Sequence, residues 1–60
     1  MSDRTQLEIA EARVLYCTWE VTKQKVLTPE RMKWLTKKYG YGAVERIRTY
    51  MGMFRTGELE

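Results

Sequence analysis

The sequence predicts an all-α fold of three helices, one long and two short, in a single helical domain spanning 1–60. Three observations carry that expectation. Apolar residues recur at helical spacings of three and four, helix-start signals stand at Thr5 and Thr28, and glycines punctuate the chain at Gly40, Gly42 and Gly57. Helix 1 is expected over about 5–24. Thr5-x-x-Glu8 fits a capping box, in which hydroxyl and carboxylate satisfy the free N–H groups of the first turn. Helix 2, about 29–39, starts at Thr28-Pro29-Glu30, with Thr as N-cap, Pro in the first turn and an acid beside the positive end of the helix dipole. Gly40 is expected to close it in the left-handed conformation. Helix 3 covers about 42–55, and 56–60 is a tail. Lys37, Lys38 and Arg55 sit where cations complement C-terminal dipole ends.

The faces of these helices differ. In helix 3, Ala43, Val44, Ile47, Tyr50, Met51 and Phe54 fall on one stripe roughly 120° wide. Helix 2 has a narrower seam of Met32, Leu35 and Tyr39, preceded by Leu27. Helix 1 has two apolar stripes. Leu7, Ala10, Val14, Cys17 and Val21 share one face, and Ile9, Ala12, Tyr16 and Trp19 form another roughly opposite. A helix apolar on two sides is expected to be covered on both. Helices 2 and 3 together only match the ~30 Å length of helix 1, so they suffice for one side. The second side is therefore expected to be intermolecular, in a homodimer. The aromatic stripe Ile9, Ala12, Tyr16 and Trp19 is the better candidate, because Tyr and Trp are enriched at interfaces.

Size points the same way. A 60-residue chain buries only ~60% of its unfolded surface, and a single small core seldom yields more than ~3–5 kcal/mol. One cysteine cannot form an internal disulfide, and one cysteine without histidine cannot build a structural zinc site. Well-packed helices or association must make up the difference.

Composition also narrows function. Without histidine there is no imidazole base and no Ser–His or Cys–His arrangement. A chain this short rarely encloses a substrate pocket. The expectation is a non-enzyme with no cofactor, no metal and no small-molecule substrate. Cys17 reads as a small buried hydrophobe. The apolar runs of four or five residues fall far short of the ~20 that span a bilayer, and Asp3, Glu8 and Glu11 stand where a signal peptide carries basic residues. A lone cysteine suits a reducing compartment. These features together lead to a cytoplasmic expectation. Leu59-Glu60 is compatible with a cloning remnant and is given no weight.

The net charge of +3 conceals segregation. Residues 1–22 carry two basic groups against four acidic ones, a net −2. Residues 23–57 carry nine (Lys23, Lys25, Arg31, Lys33, Lys37, Lys38, Arg46, Arg48 and Arg55) against Glu30 and Glu45, a net +7. Glu58 and Glu60 return −2. A concentrated basic segment is the electrostatic footprint of a polyanionic partner.

Helices 2 and 3, joined by the short Tyr39-Gly40-Tyr41-Gly42 connection, resemble a helix-turn-helix in outline. That resemblance implies a small DNA-binding regulator with helix 3 in the major groove. Arg46, Thr49 and Met53 would then face base edges, with Arg48 or Arg55 flanking them. Lys33, Lys37 and Lys38 would lie on the phosphates, Trp34 among them would stack on a sugar or base, and Arg31 belongs to the same nucleic-acid-binding set. The outline departs from the strict motif. Whichever of Gly40 and Gly42 is taken as the turn glycine, Arg46 or Arg48 falls where the motif has a buried aliphatic residue. The alternative is a modulator of a larger protein, of the kind phages encode, acting through Tyr16, Trp19, Ile9, Trp34, Met53 and Tyr41 among basic residues.

Overall fold

In the computed structural model, which describes residues 3–59, three helices follow one another: α1 (Asp3–Thr22), α2 (Pro29–Tyr39) and α3 (Ala43–Thr56). Among the described residues no segment forms a strand, and no helix is long and apolar enough to cross a membrane.

Local chemistry accounts for most helix ends. The Thr28 hydroxyl accepts a hydrogen bond from the Arg31 N–H at 3.2 Å and opens α2, as its sequence position requires. Gly40 closes α2 with φ 102° and ψ 177°, a positive φ as expected but with extended ψ. Only glycine adopts that conformation without strain. Gly57 takes the left-handed conformation after α3, its N–H reaching Phe54 O at 3.2 Å and the next N–H, of Glu58, reaching Met53 O at 2.8 Å. This pair of bonds is the Schellman closure. It turns the chain back so that Leu59 is half-buried near Phe54 and the α1 residues Ile9 and Ala10. Leu59 therefore belongs to the folded unit, while Glu60 lies outside the described residues.

α1 departs from the expected boundaries at both ends. It already runs from Asp3, so Thr5 lies inside it rather than capping it. The Glu8 carboxylate, expected to reach back to the backbone, is held instead by Arg46. The far end comes at Thr22. Lys23 leaves the helix with φ 57°, its N–H bonded to Trp19 O at 2.6 Å. A lysine there is disfavoured relative to glycine, and two contacts offset the strain. Its Nζ lies 4.4 Å from the Trp19 ring centroid and 3.6 Å from the Glu20 carboxylate.

α3 is the middle of the assembly, packed against α1 along much of its length and against α2. The buried core is small: Ala12 and Leu15 from α1, Leu35 and Tyr39 from α2, Ala43 and Ile47 from α3. Val26, Leu27, Val44, Tyr50, Met51 and Phe54 pack around it. The α3 stripe therefore faces inward as its periodicity predicts. The Cα trace measures 28 × 27 × 13 Å, a slab no deeper than two helices set ~8–10 Å apart.

The orientation of α1 is the main correction. Its core-facing side holds Glu8, Ala12 and Leu15, with Ile9, Tyr16 and Trp19 half-buried beside them. Leu7, Ala10, Val14, Cys17 and Val21 face outward. The stripe expected to meet a second molecule thus lies against α3, and Cys17 is exposed rather than buried. Two physical reasons favour this choice. Tyr16 and Trp19 offer more area to bury than Val14 and Cys17. The chosen side also brings its carboxylates to partners, Glu8 to Arg46 and Glu11 to the Tyr39 hydroxyl at 3.0 Å.

Candidate nucleic-acid interface

The expected basic residues fall into two groups on the structure, with Arg46 removed from both. On α2, the seam of Leu35 and Tyr39 faces the core, so Arg31, Lys33, Trp34, Lys37 and Lys38 are all exposed. Trp34 projects among them. The Arg31 guanidinium carbon lies 5.6 Å and the Lys38 Nζ 4.7 Å from its ring centroid. Lys38 also lies 5.3 Å from the Tyr39 ring. Each such contact contributes ~0.5–1 kcal/mol at an exposed site. The contacts hold two cations over an indole that remains 43% exposed. Among the described residues, the ion pairs join Lys23 to Glu20, Arg46 to Glu8 and Arg48 to Glu45. The four α2 cations belong to none of these.

On α3, the outward side carries Glu45, Arg48, Thr49, Gly52 and Arg55. Arg48 bonds Glu45 at 3.2 Å, one turn away, and also touches the Met32 sulfur at 4.0 Å, which sets it at the border with α2. Thr49 donates its hydroxyl to Glu45 O at 3.0 Å, leaving its oxygen able to accept. Arg55 stands at the rim of an open groove of about 300 Å³ lined by Tyr16, Trp19, Met51 and Gly52. A Cβ at Gly52 would meet nothing within 4 Å. Glycine is disfavoured in a helix interior by ~1 kcal/mol, and no packing within the chain calls for it here.

Arg46 has a different task from the one its spacing suggested. Its Nε and one terminal nitrogen donate to the two Glu8 carboxylate oxygens, both at 2.8 Å, in a bidentate pair. Its other terminal nitrogen donates to Tyr41 O at 3.4 Å. One guanidinium thus joins α1 to the α2–α3 turn. The Arg46 bonds hold the Glu8 carboxyl below its ordinary value, against the opposing effect of burial, and the same bonds raise Arg46. The pair was not legible beforehand, because 38 residues separate its members and Glu8 also satisfied a local capping pattern.

The aromatic surplus is mostly internal. The Tyr16 ring lies 6.2 Å from Trp19 and 6.3 Å from Phe54, centroid to centroid. Its hydroxyl donates to Glu20 at 2.8 Å, which raises the phenol and lowers the carboxyl. For Tyr39, burial and then the Glu11 bond push the phenol upward. Met53 is half-buried. Of the residues proposed for protein contact, Trp34 at 43% and Tyr41 at 96% are the exposed aromatics. Tyr41 stands on the turn between Gly40 and Gly42. Among the described residues no group of three or more Cys, Asp or Glu side chains could hold a metal ion.

No family model, curated protein or solved structure matches this chain.

Proposed function

We propose that this chain is a small DNA-binding regulator that meets the phosphate backbone with α2 and the bases with the outer side of α3. One observation carries the reading. The carboxylates of Glu8, Glu11, Glu20 and Glu45 are all engaged by other side chains of the chain, whereas Arg31, Lys33, Lys37 and Lys38 are exposed and form no ion pair with an acidic side chain among the described residues. A surface whose positive charge is not neutralised from within attracts a polyanion. Arg31, Lys33, Lys37 and Lys38 then supply affinity, Trp34 stacks on a sugar or base, and Arg48, Thr49 and Arg55 supply preference among sequences.

Fluorescence anisotropy with random-sequence duplex DNA tests this. Binding at ~50 mM salt should weaken by orders of magnitude at ~200 mM, as counterion release requires. Lys37→Glu with Lys38→Glu should weaken all sequences alike. No binding to duplex at the lower salt ends the reading.

A second reading, modulation of a larger protein, draws on the groove beside Gly52, where two aromatic rings and Met51 line a concave surface with Arg55 at its rim. Gly52→Leu, which fills that groove, separates the two. It should abolish capture of a protein partner while leaving the salt-dependent DNA affinity of the α2 cations in place.

A further inference from the structure

Trp34 is the large hydrophobic side chain that α2 leaves exposed, while Leu35 and Tyr39 of the same helix are buried. Its ring borders a shallow hollow of about 330 Å³ whose other walls are Thr28, Glu30 and Arg31. Glu30 lies one turn before Trp34, on the same side of the helix. Among the described residues the ion pairs leave Glu30 out. The Thr28 hydroxyl accepts from the Arg31 N–H and is still able to donate. The hollow therefore combines a flat aromatic wall, a carboxylate acceptor and a hydroxyl donor. Two cations, Arg31 and Lys38, stand 5.6 Å and 4.7 Å from the ring centroid.

Resting on the reading of α2 as the helix that meets phosphate, we propose that this hollow takes one unpaired base of a DNA strand. The base stacks on Trp34 with its amino edge toward Glu30, and Arg31 and Lys38 hold the phosphates beside it. Inside a duplex both faces of every base are covered by its neighbours, and the grooves offer only base edges. An indole on a helix surface meets a base face where the stack is open.

Glu30 points to a base rather than to more backbone. A carboxylate repels phosphate, whereas it accepts hydrogen bonds from the exocyclic amino group of a base. Glu30 also complements the dipole at the start of α2, and its place on the hollow gives it this second use. The cations over Trp34 do not block the ring. An exposed cation–π contact is weaker than base stacking, and Lys38 has the Tyr39 ring beside it as well, at 5.3 Å. An arriving strand offers both cations phosphate oxygens, a stronger partner, and the base takes the face they leave.

Fluorescence anisotropy at low salt tests this with an intact duplex, the same duplex carrying a short single-stranded gap of cytosines, and that gap built of abasic nucleotides. The two gapped DNAs carry the same phosphates, so the difference between them reads the bases. The cytosine gap should bind about tenfold tighter than the abasic gap, as one stacked base provides. Trp34→Ala should bring that ratio close to one, and Trp34→Phe should keep most of it. A thymine gap, without the amino group, should bind about threefold more weakly than the cytosine gap. Glu30→Gln, which both donates and accepts, should erase that difference.

Equal affinity for the cytosine and abasic gaps overturns the proposal, and binding of the intact duplex in the same titration leaves the regulator reading standing. A cytosine preference that survives Trp34→Ala also overturns it, because the base is then held elsewhere. A cytosine–thymine difference unchanged by Glu30→Gln overturns the role given to Glu30. Tenfold preference for the cytosine gap without binding to intact duplex supports the unpaired base and ends the duplex reading. No binding to any of these DNAs overturns both.

Discussion

The two sides of α1 contain similar numbers of apolar residues and meet opposite fates. The inner side carries Ala12 and Leu15 in the core, aromatic rings against α3, and a buried carboxylate matched by Arg46. The outer side carries a more regular row of aliphatic residues and remains open to water. Hydrophobicity alone would not have chosen between them. The side that folds inward has large rings to bury, a small residue at Ala12 where the helices approach closely, and polar groups with partners in reach. The lesson is that a helix is oriented by the completeness of its contacts, polar ones included, rather than by the regularity of its apolar row.

The strongest way to break this contrast is to remove the polar anchor of the inner side. Glu8→Ala leaves Arg46 without its carboxylate and empties a buried site. It should destabilise the fold by about 2–4 kcal/mol in urea unfolding. An unchanged midpoint would mean that the Glu8–Arg46 pair does not orient α1.

A smaller effect sharpens the same contrast with one substitution made twice. Ala12→Leu overfills a fully buried position and should cost about 1–3 kcal/mol. Ala10→Leu, half a turn away on the exposed side, should change monomer stability by no more than ~0.5 kcal/mol. Equal effects in thermal melts would overturn the assigned orientation of the helix.

The smallest effect is the pH dependence that Glu8 contributes. Its folded pKa is lowered below the ordinary value of 4.5. Its contribution is therefore fully present above that value and is lost as pH falls through the lowered folded value. Glu20, lowered by its Tyr16 bond, acts in the same direction. Melting temperature should decline in that acid window, and Glu8→Gln should flatten the decline. A profile identical in wild type and variant would show that Glu8 does not titrate with folding.

Much of the fold was legible from local chemistry. Thr28-Pro29-Glu30 marked the start of α2, Gly40 and Gly57 marked closures, and the α3 stripe pointed at the core, because each signal acts within one or two turns of chain. The facing of α1 was not legible, since its two rows are nearly balanced and the deciding contacts come from residues 28 to 38 positions away. The candidate site was read in the same uneven way. The exposed cations of α2 followed from periodicity alone. Arg46 has the same spacing and charge as a groove-facing residue, and only the distant Glu8 gives it another role.

The shallow depth of the slab has a thermodynamic consequence. Each helix keeps one side in water, so the cooperative unit is little more than six core residues and their immediate neighbours. For 60 residues the enthalpy of unfolding near 60 °C is only about 40 kcal/mol. So low an enthalpy spreads thermal unfolding across tens of degrees. The helical signal should therefore fall gradually on heating even in a two-state transition.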